Sequence, residues 1–156
     1  MEYRIDQFSD DLSVWFNEKE ILFVKRKFNF LGIMHSKIYE SNNIIMEYTY
    51  CPYIFIESLT IQNYTLDKTL SLVKKKGKFI LCYRGNRLSV RRVFSIKKKI
   101  SFKLYKNDQE VGFVYSKELF SLQSPSSIFL NFYENNDCNY YLLLLLLMKL
   151  PTTMEF

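Results

Sequence analysis

The chain has one histidine, His35, and three cysteines, Cys51, Cys82 and Cys138. A Ser-His-Asp or Cys-His site needs His35 as its base, and nothing near it marks a nucleophile elbow. His35 therefore reads as an ordinary residue at the start of a strand. A metal needs several convergent ligands, and a lone histidine with scattered cysteines does not supply them. The cysteines are odd in number and widely spaced, without redox or metal spacing, which fits a reduced, cytosolic compartment. Gly77, Gly85 and Gly112 stand alone, with no phosphate-cradling motif around them. The pair Asp10-Asp11 lies in an acidic opening and reads as a turn rather than an acid/base dyad. No catalytic residue, metal or cofactor is expected, and an enzyme is the least supported class.

One stretch can recognise a ligand by charge. The net charge is +6, but it is unevenly spread. Residues 1–20 hold Glu2, Asp6, Asp10, Asp11, Glu18 and Glu20 against Arg4 and Lys19. Residues 68–106 contain fourteen Lys or Arg and no acid. Within that tract Lys74, Lys75, Lys76 and Lys78 crowd one hairpin tip, and Lys97, Lys98 and Lys99 crowd another connection. Arg84, Arg87, Arg91 and Arg92 lie between them. If both tips point to the same end of the fold, they form a patch for phosphate groups. The alternative is a generally solvated lysine-rich face.

The elements that would position these cations are short strands. Aromatic residues make up 17% of the chain, which favours strands. Glycine and proline number only four and three, so the turns must rely on Asn, Asp, Ser and Lys. Tyr3 to Phe8 reads as a first strand. Leu12 to Phe16 is either a strand or a helical turn capped by Asp10. Strands are then expected over Ile21 to Phe30, His35 to Tyr39 and Ile44 to Tyr50, with a turn at Glu40-Ser41-Asn42-Asn43. Cys51-Pro52 should interrupt the pattern at a corner or an edge, before a strand over Tyr53 to Leu59 and a short segment over Ile61 to Tyr64. Three hairpins follow. Leu70–Val73 and Phe79–Tyr83 flank Lys74–Lys78, Phe79–Tyr83 and Leu88–Phe94 flank Arg84–Arg87, and Ile100–Tyr105 and Glu110–Tyr115 flank Lys106–Gln109. Residues 116–127 read as a loop, and Ile128 to Tyr133 as the last strand.

The stretch Tyr140 to Met148 reads Tyr-Tyr-Leu-Leu-Leu-Leu-Leu-Leu-Met. It contains no β-branched residue, and leucine favours helix over the alternative of a buried strand of similar length. Asn136 or Asp137 can cap its start, Lys149 suits its C-terminal end and Pro151 should stop it. A helix that is apolar all round must be buried all round. It is too short to cross a bilayer, which takes about 20 residues, and the N-terminus lacks the basic and apolar regions of a secretory signal. A single sheet covers only one side of such a helix, whereas a closed barrel encloses it. The expected fold is thus mainly β: a closed antiparallel β-barrel of about 10–12 strands wrapped around one hydrophobic C-terminal α-helix. It is read as a single domain over 1–156, with an acidic N-terminal segment at 1–20, barrel strands over 21–133 and a central helix over 137–150. Apolar side chains should face inward and the Lys/Arg set outward.

This order of elements resembles the Tubby C-terminal-like superfamily, especially its short LURP-one-related and phospholipid-scramblase-like members. The resemblance rests on the tandem hairpins up to Tyr115, notably Ser101 to Tyr115, then on Ile128 to Tyr133 and the Asn136-Asp137 step into Tyr140–Met148. It is one of texture and order, runs from about residue 20, and leaves the acidic opening outside the pattern. It implies a barrel of about a dozen strands around one C-terminal helix. It also implies binding of anionic phospholipid head groups through basic surface residues.

Three functions follow as expectations. The first is a non-enzymatic module that binds an anionic partner, phospholipid head groups at a membrane surface, placing the protein in the cytoplasm and at the membrane periphery. The second is nucleic-acid binding, with Phe79, Tyr83, Phe94, Phe102 and Tyr105 as stacking platforms among the cations. The third is a structural or protein-interaction domain whose acidic opening docks on a basic patch.

Overall fold

Hairpin follows hairpin along the chain, because most connections are too short to do anything but reverse direction. The computed structural model describes residues 1–53, 56–93, 100–116 and 126–150. The strands are β1 (Glu2–Phe8), β2 (Asp11–Phe16), β3 (Lys19–Phe28), β4 (Met34–Glu40), β5 (Asn43–Tyr53) and β6 (Ile56–Tyr64). They continue with β7 (Ser71–Lys75), β8 (Lys78–Tyr83), β9 (Asn86–Arg92), β10 (Ile100–Lys106), β11 (Gln109–Tyr115) and β12 (Ser126–Phe132). One helix, α1 (Cys138–Lys149), follows.

Residues with positive φ close the tight turns. Asn17-Glu18, Ser41-Asn42, Lys76-Gly77, Arg84-Gly85 and Asn107-Asp108 each place two successive residues at positive φ. That is the two-residue hairpin turn whose twist matches the flanking strands. Only two of these turns use glycine, so Asn, Ser, Asp and Lys carry much of the burden, as the composition requires.

The twelve strands of the described residues form one antiparallel sheet in the order β6-β5-β4-β3-β2-β1-β12-β11-β10-β9-β8-β7. The first strand pairs with the last, Tyr3 opposite Leu130 and Ile5 opposite Ile128. The two edges, β6 and β7, are consecutive in sequence and meet at a seam, so the barrel is nearly closed. Across the seam the Tyr64 hydroxyl donates to the Leu70 carbonyl (3.2 Å) and the Lys74 ammonium to the Glu57 carbonyl. The acidic opening forms β1, β2 and the start of β3, inside the sheet and not apart from it. Leu12–Phe16, left open between strand and helical turn, is strand.

Two expectations fail around Pro52. The strand is not interrupted there: β5 runs on to Tyr53, with Pro52 opposite Glu57 on β6. The last β4–β5 pair is Met34 with Tyr50, so beyond it β5 has one neighbour and an unpaired side that needs no N–H from proline. Tyr53 and Leu59 consequently belong to different strands, since Tyr53 pairs with Ile56 across a hairpin whose connecting residues 54–55 lie outside the described set. Ile61–Tyr64 is the second half of β6, not a separate segment.

Most strands turn alternate apolar residues inward; β7 is the exception, with no fully buried residue. Ile5, Leu12, Val14, Leu22, Val24, Ile38, Met46, Leu81, Leu88, Leu104, Val114 and Leu130 are buried, and the helix packs among them. Seven consecutive helix residues, Leu142 to Met148, are each at most 1% exposed. Seven consecutive positions span almost two turns at 3.6 residues per turn, so no side of this segment faces solvent. Asp137 occupies the N-cap position without a side-chain bond. Asn136 caps instead, its Oδ1 accepting from the Cys138 N–H at 2.9 Å. The stop expected at Pro151 lies outside the described residues, and Leu150 is already extended.

Among the described strand residues, Arg26 breaks the rule that the Lys/Arg set faces outward. On β3 the inward register runs Leu22, Val24, Arg26, and Arg26 is 3% exposed. Its Nη1 donates to the Leu150 carbonyl at 3.0 Å and its Nε to the Asp10 carbonyl. Leu150 follows the helix directly, where the last carbonyls lack intrahelical donors and the helix dipole favours a cation. Lys149, in the last turn of the helix, ties that end to the wall by donating to the Val90 carbonyl of β9 at 3.0 Å. Burial holds the pKa of both cations below the ordinary value.

Candidate anion-binding surface

The alternation of strand direction assigns each turn to one of two barrel ends. The β1–β2, β3–β4 and β7–β8 turns lie at one end, together with the last residues of β9. The β2–β3, β4–β5, β8–β9 and β10–β11 turns lie at the other, with the start of the helix.

The predicted site residues divide between these ends. Lys74 and Lys75 close β7, Lys76 sits in the turn and Lys78 opens β8; all four are exposed. Lys75 is the direct cross-strand partner of Lys78, an arrangement of like charges that destabilises a bare sheet. Among the described residues no carboxylate pairs with Lys75, Lys76 or Lys78. Lys74 is partly committed, to the Glu57 carbonyl and to the face of Phe79, 5.3 Å from the ring centroid. Arg92 ends β9 at the same barrel end. Lys97, Lys98 and Lys99 lie outside the described residues.

Arg84 and Arg87 sit at the opposite end, and both are engaged. Arg84 meets Asp67 at 2.9 Å. Hydrogen bonds from Thr69 and then from Arg84 hold the Asp67 carboxyl below its usual range, and Asp67 in turn raises the Arg84 pKa. Arg87 and Arg91 both reach Asp108, at 3.1 and 3.2 Å. Arg91 also lies over Tyr105, 4.2 Å from the ring centroid. The tract that holds no acid in sequence is therefore partly neutralised by acids from just outside it, Asp67 and Asp108. The sheet register brings these together, and counting charges along the chain cannot find them. The end that holds Arg84 and Arg87 also carries Glu18, Glu40, Glu134 and Asp137 in or beside its connections. Among the described residues, one end thus carries the Lys74–Lys78 tip together with Asp10 and Asp11, and the other carries these acids together with Arg84 and Arg87.

A second cationic surface on the outer wall was not singled out in the sequence. Lys25 lies directly opposite Lys37, and Lys27 opposite His35. With Glu47 and Gln62 they line a groove of about 280 Å³. Lys37 bonds Glu47 at 3.0 Å, which raises the lysine's pKa, and His35 Nδ1 lies 3.1 Å from Thr49 Oγ1. The signal was present as Lys25-Arg26-Lys27 in a strand of period two, which puts Lys25 and Lys27 on the face opposite Arg26.

Of the aromatics that could have stacked on nucleic-acid bases, Phe79, Tyr83 and Phe102 are buried and Tyr105 is covered by Arg91; Phe94 lies outside the described residues. Cys51, Cys82 and Cys138 are free thiols, and among the described residues no cluster of His, Cys, Asp or Glu could hold a metal. Among the same residues no helix is long and apolar enough to cross a membrane. Two acids of the opening are used internally: Asp6 accepts from Ser127 Oγ at 2.7 Å and Asp11 from the Arg26 N–H at 3.0 Å. No family model, curated protein or solved structure matches the chain.

Proposed function

We propose that the protein is a non-enzymatic module that docks on anionic phospholipid head groups at a membrane surface through the lysine end of its barrel. The supporting observation is the β7–β8 hairpin, where Lys75 faces Lys78 across the ladder, Lys76 projects from the turn, and no described acid answers them. A sheet that places like charges opposite one another gains nothing in stability from them. An anionic surface supplies the missing counter-charge. The strand-then-helix order supports the likeness to the Tubby C-terminal-like superfamily, whose members' lipid binding points the same way. On this reading the protein works at the cytoplasmic periphery of a membrane. The burial of Phe79, Tyr83 and Phe102 takes away most of the platform that single-stranded nucleic acid would need.

Vesicle flotation at low salt tests the proposal. Phosphatidylcholine–phosphatidylserine vesicles should carry the protein up the gradient and pure phosphatidylcholine vesicles should not. Binding should fade as salt rises. Replacing Lys75, Lys76 and Lys78 by Gln should weaken binding by about fivefold per lysine. Equal recovery with both vesicle types, or full binding by the triple variant, would refute it.

A further inference from the structure

The lysine end also bears Phe30, the most exposed large apolar side chain among the described residues, and three others. Phe30 is 95% exposed and Leu31 50%, both in the β3–β4 turn. Phe28 closes β3 beneath them at 38% exposure, and Phe8, at the end of β1, is 47% exposed. The β1–β2 and β3–β4 turns share one barrel end with Lys75, Lys76 and Lys78, because the strands alternate in direction. Lys27, one residue before Phe28, is exposed on the same strand.

The turn that presents Phe30 is internally bonded. Asn29 Oδ1 accepts from the Leu31 N–H at 2.9 Å and from the Ile33 N–H at 3.0 Å. The Asn29 carbonyl accepts from the Gly32 N–H at 3.0 Å, and the Asn29 N–H donates to the Ile33 carbonyl at 3.1 Å. Gly32, at φ +75°, makes the reversal that a side chain would strain. Backbone groups left without partners are costly to move into an apolar phase. Here the turn satisfies several of its own donors, so Phe30 and Leu31 can leave water without stripping them. Two large apolar side chains held outward on a bonded turn, at the same barrel end as lysines that no described acid answers, have the make-up of an interfacial anchor.

We infer that the β3–β4 turn inserts Phe30 and Leu31 into the interfacial layer of an anionic bilayer while the β7–β8 lysines hold the head groups. The occupant is a lipid surface and not a protein groove, because the two features sit on separate tips four strands apart through the seam. A flat anionic plane meets both at once. Asp10, on the neighbouring β1–β2 turn, is the exposed carboxylate that such a plane must tolerate. The inference rests on the proposed lipid binding and adds depth and orientation to it.

The test uses Phe30→Trp in the full chain, with wild type, which contains Trp15 alone, as the background. On phosphatidylcholine–phosphatidylserine vesicles the added tryptophan should shift its emission to the blue and be quenched by lipids brominated on their acyl chains. The double variant Phe30→Ser, Leu31→Ser should keep its fold by circular dichroism and bind at least about tenfold more weakly. Salt-dependent binding with no shift or quenching of the added tryptophan's emission would overturn insertion and leave the head-group reading standing. Absence of binding to any vesicle would overturn both.

Discussion

Substituting the leucines of α1 one at a time by alanine discriminates enclosure from one-sided packing. Each of Leu142 to Leu147 is at most 1% exposed. Leu→Ala removes three carbons from a buried site and leaves a cavity that neighbours fill only in part, for a loss of about 3–5 kcal/mol each. A helix on an open sheet would show a period of 3.6, with positions on the outer side near zero. Here all six variants should lose stability by comparable amounts, with no period. Urea denaturation followed by circular dichroism measures the losses, and an unchanged slope with denaturant would show that the unfolded reference is the same. Two or more positions costing under about 1 kcal/mol, spaced three or four apart, would refute enclosure. Leu144→Asp extends the series: a buried carboxylate without a partner should leave no folded protein, since domains have only about 5–15 kcal/mol in hand.

Two further perturbations probe the wall and the pH response. Gly112→Ala puts a Cβ 2.6 Å from the Asn131 carbonyl oxygen and 3.0 Å from Phe132, both on the paired strand β12, so it should destabilise by about 1–3 kcal/mol through backbone displacement; thermal melting reads this, and an unchanged melting temperature would show that the two strands can part freely. The Tyr48 hydroxyl, buried and pointing at the Leu147 carbonyl, has its pKa pushed up to about 12 by burial, so the folded state keeps a proton there that the unfolded chain loses near pH 10. Its contribution is complete below pH 10 and is lost between about pH 10 and 12, so stability should fall as pH rises through that window, and Tyr48→Phe should flatten part of the fall. Lys149, whose pKa burial lowers, acts in the opposite sense below the ordinary lysine value, where the unfolded chain holds the extra proton and stability rises with pH.

Hairpins and helix were legible because their signals are local. Ser41-Asn42 and Asn107-Asp108 are turn residues between runs of period two, and the leucine run is bounded by Asn136 and Lys149. Pro52 misled because tolerance of proline depends on whether the neighbouring strand is still present, a fact about β4 and not about β5. Arg26 misled because one of its partners is the carbonyl of Leu150, distant in sequence, and no local pattern marks a strand residue as the cap of a helix end. The candidate site was legible as charge but not as place. The sequence holds the lysines of residues 74–78, while the register decides that Arg84 meets Asp67 and that Arg87 and Arg91 share Asp108. The groove of Lys25, Lys27, His35 and Lys37 arises only when β3 and β4 pair.

The pairing of β1 with β12 sets a condition on how the molecule comes into being. Strand β1 leaves the ribosome early but has only β2 beside it until β12 is made, and the side chains that fill the interior, Leu142 to Met148, come later still. Until then the inward faces of twelve strands have nothing to close upon. A chain cut before residue 138 keeps every strand and loses the filling of the barrel, so it should collect as an aggregation-prone sheet rather than as a smaller version of the domain. Folding must therefore wait for the helix, as a single late event in which wall and core form together.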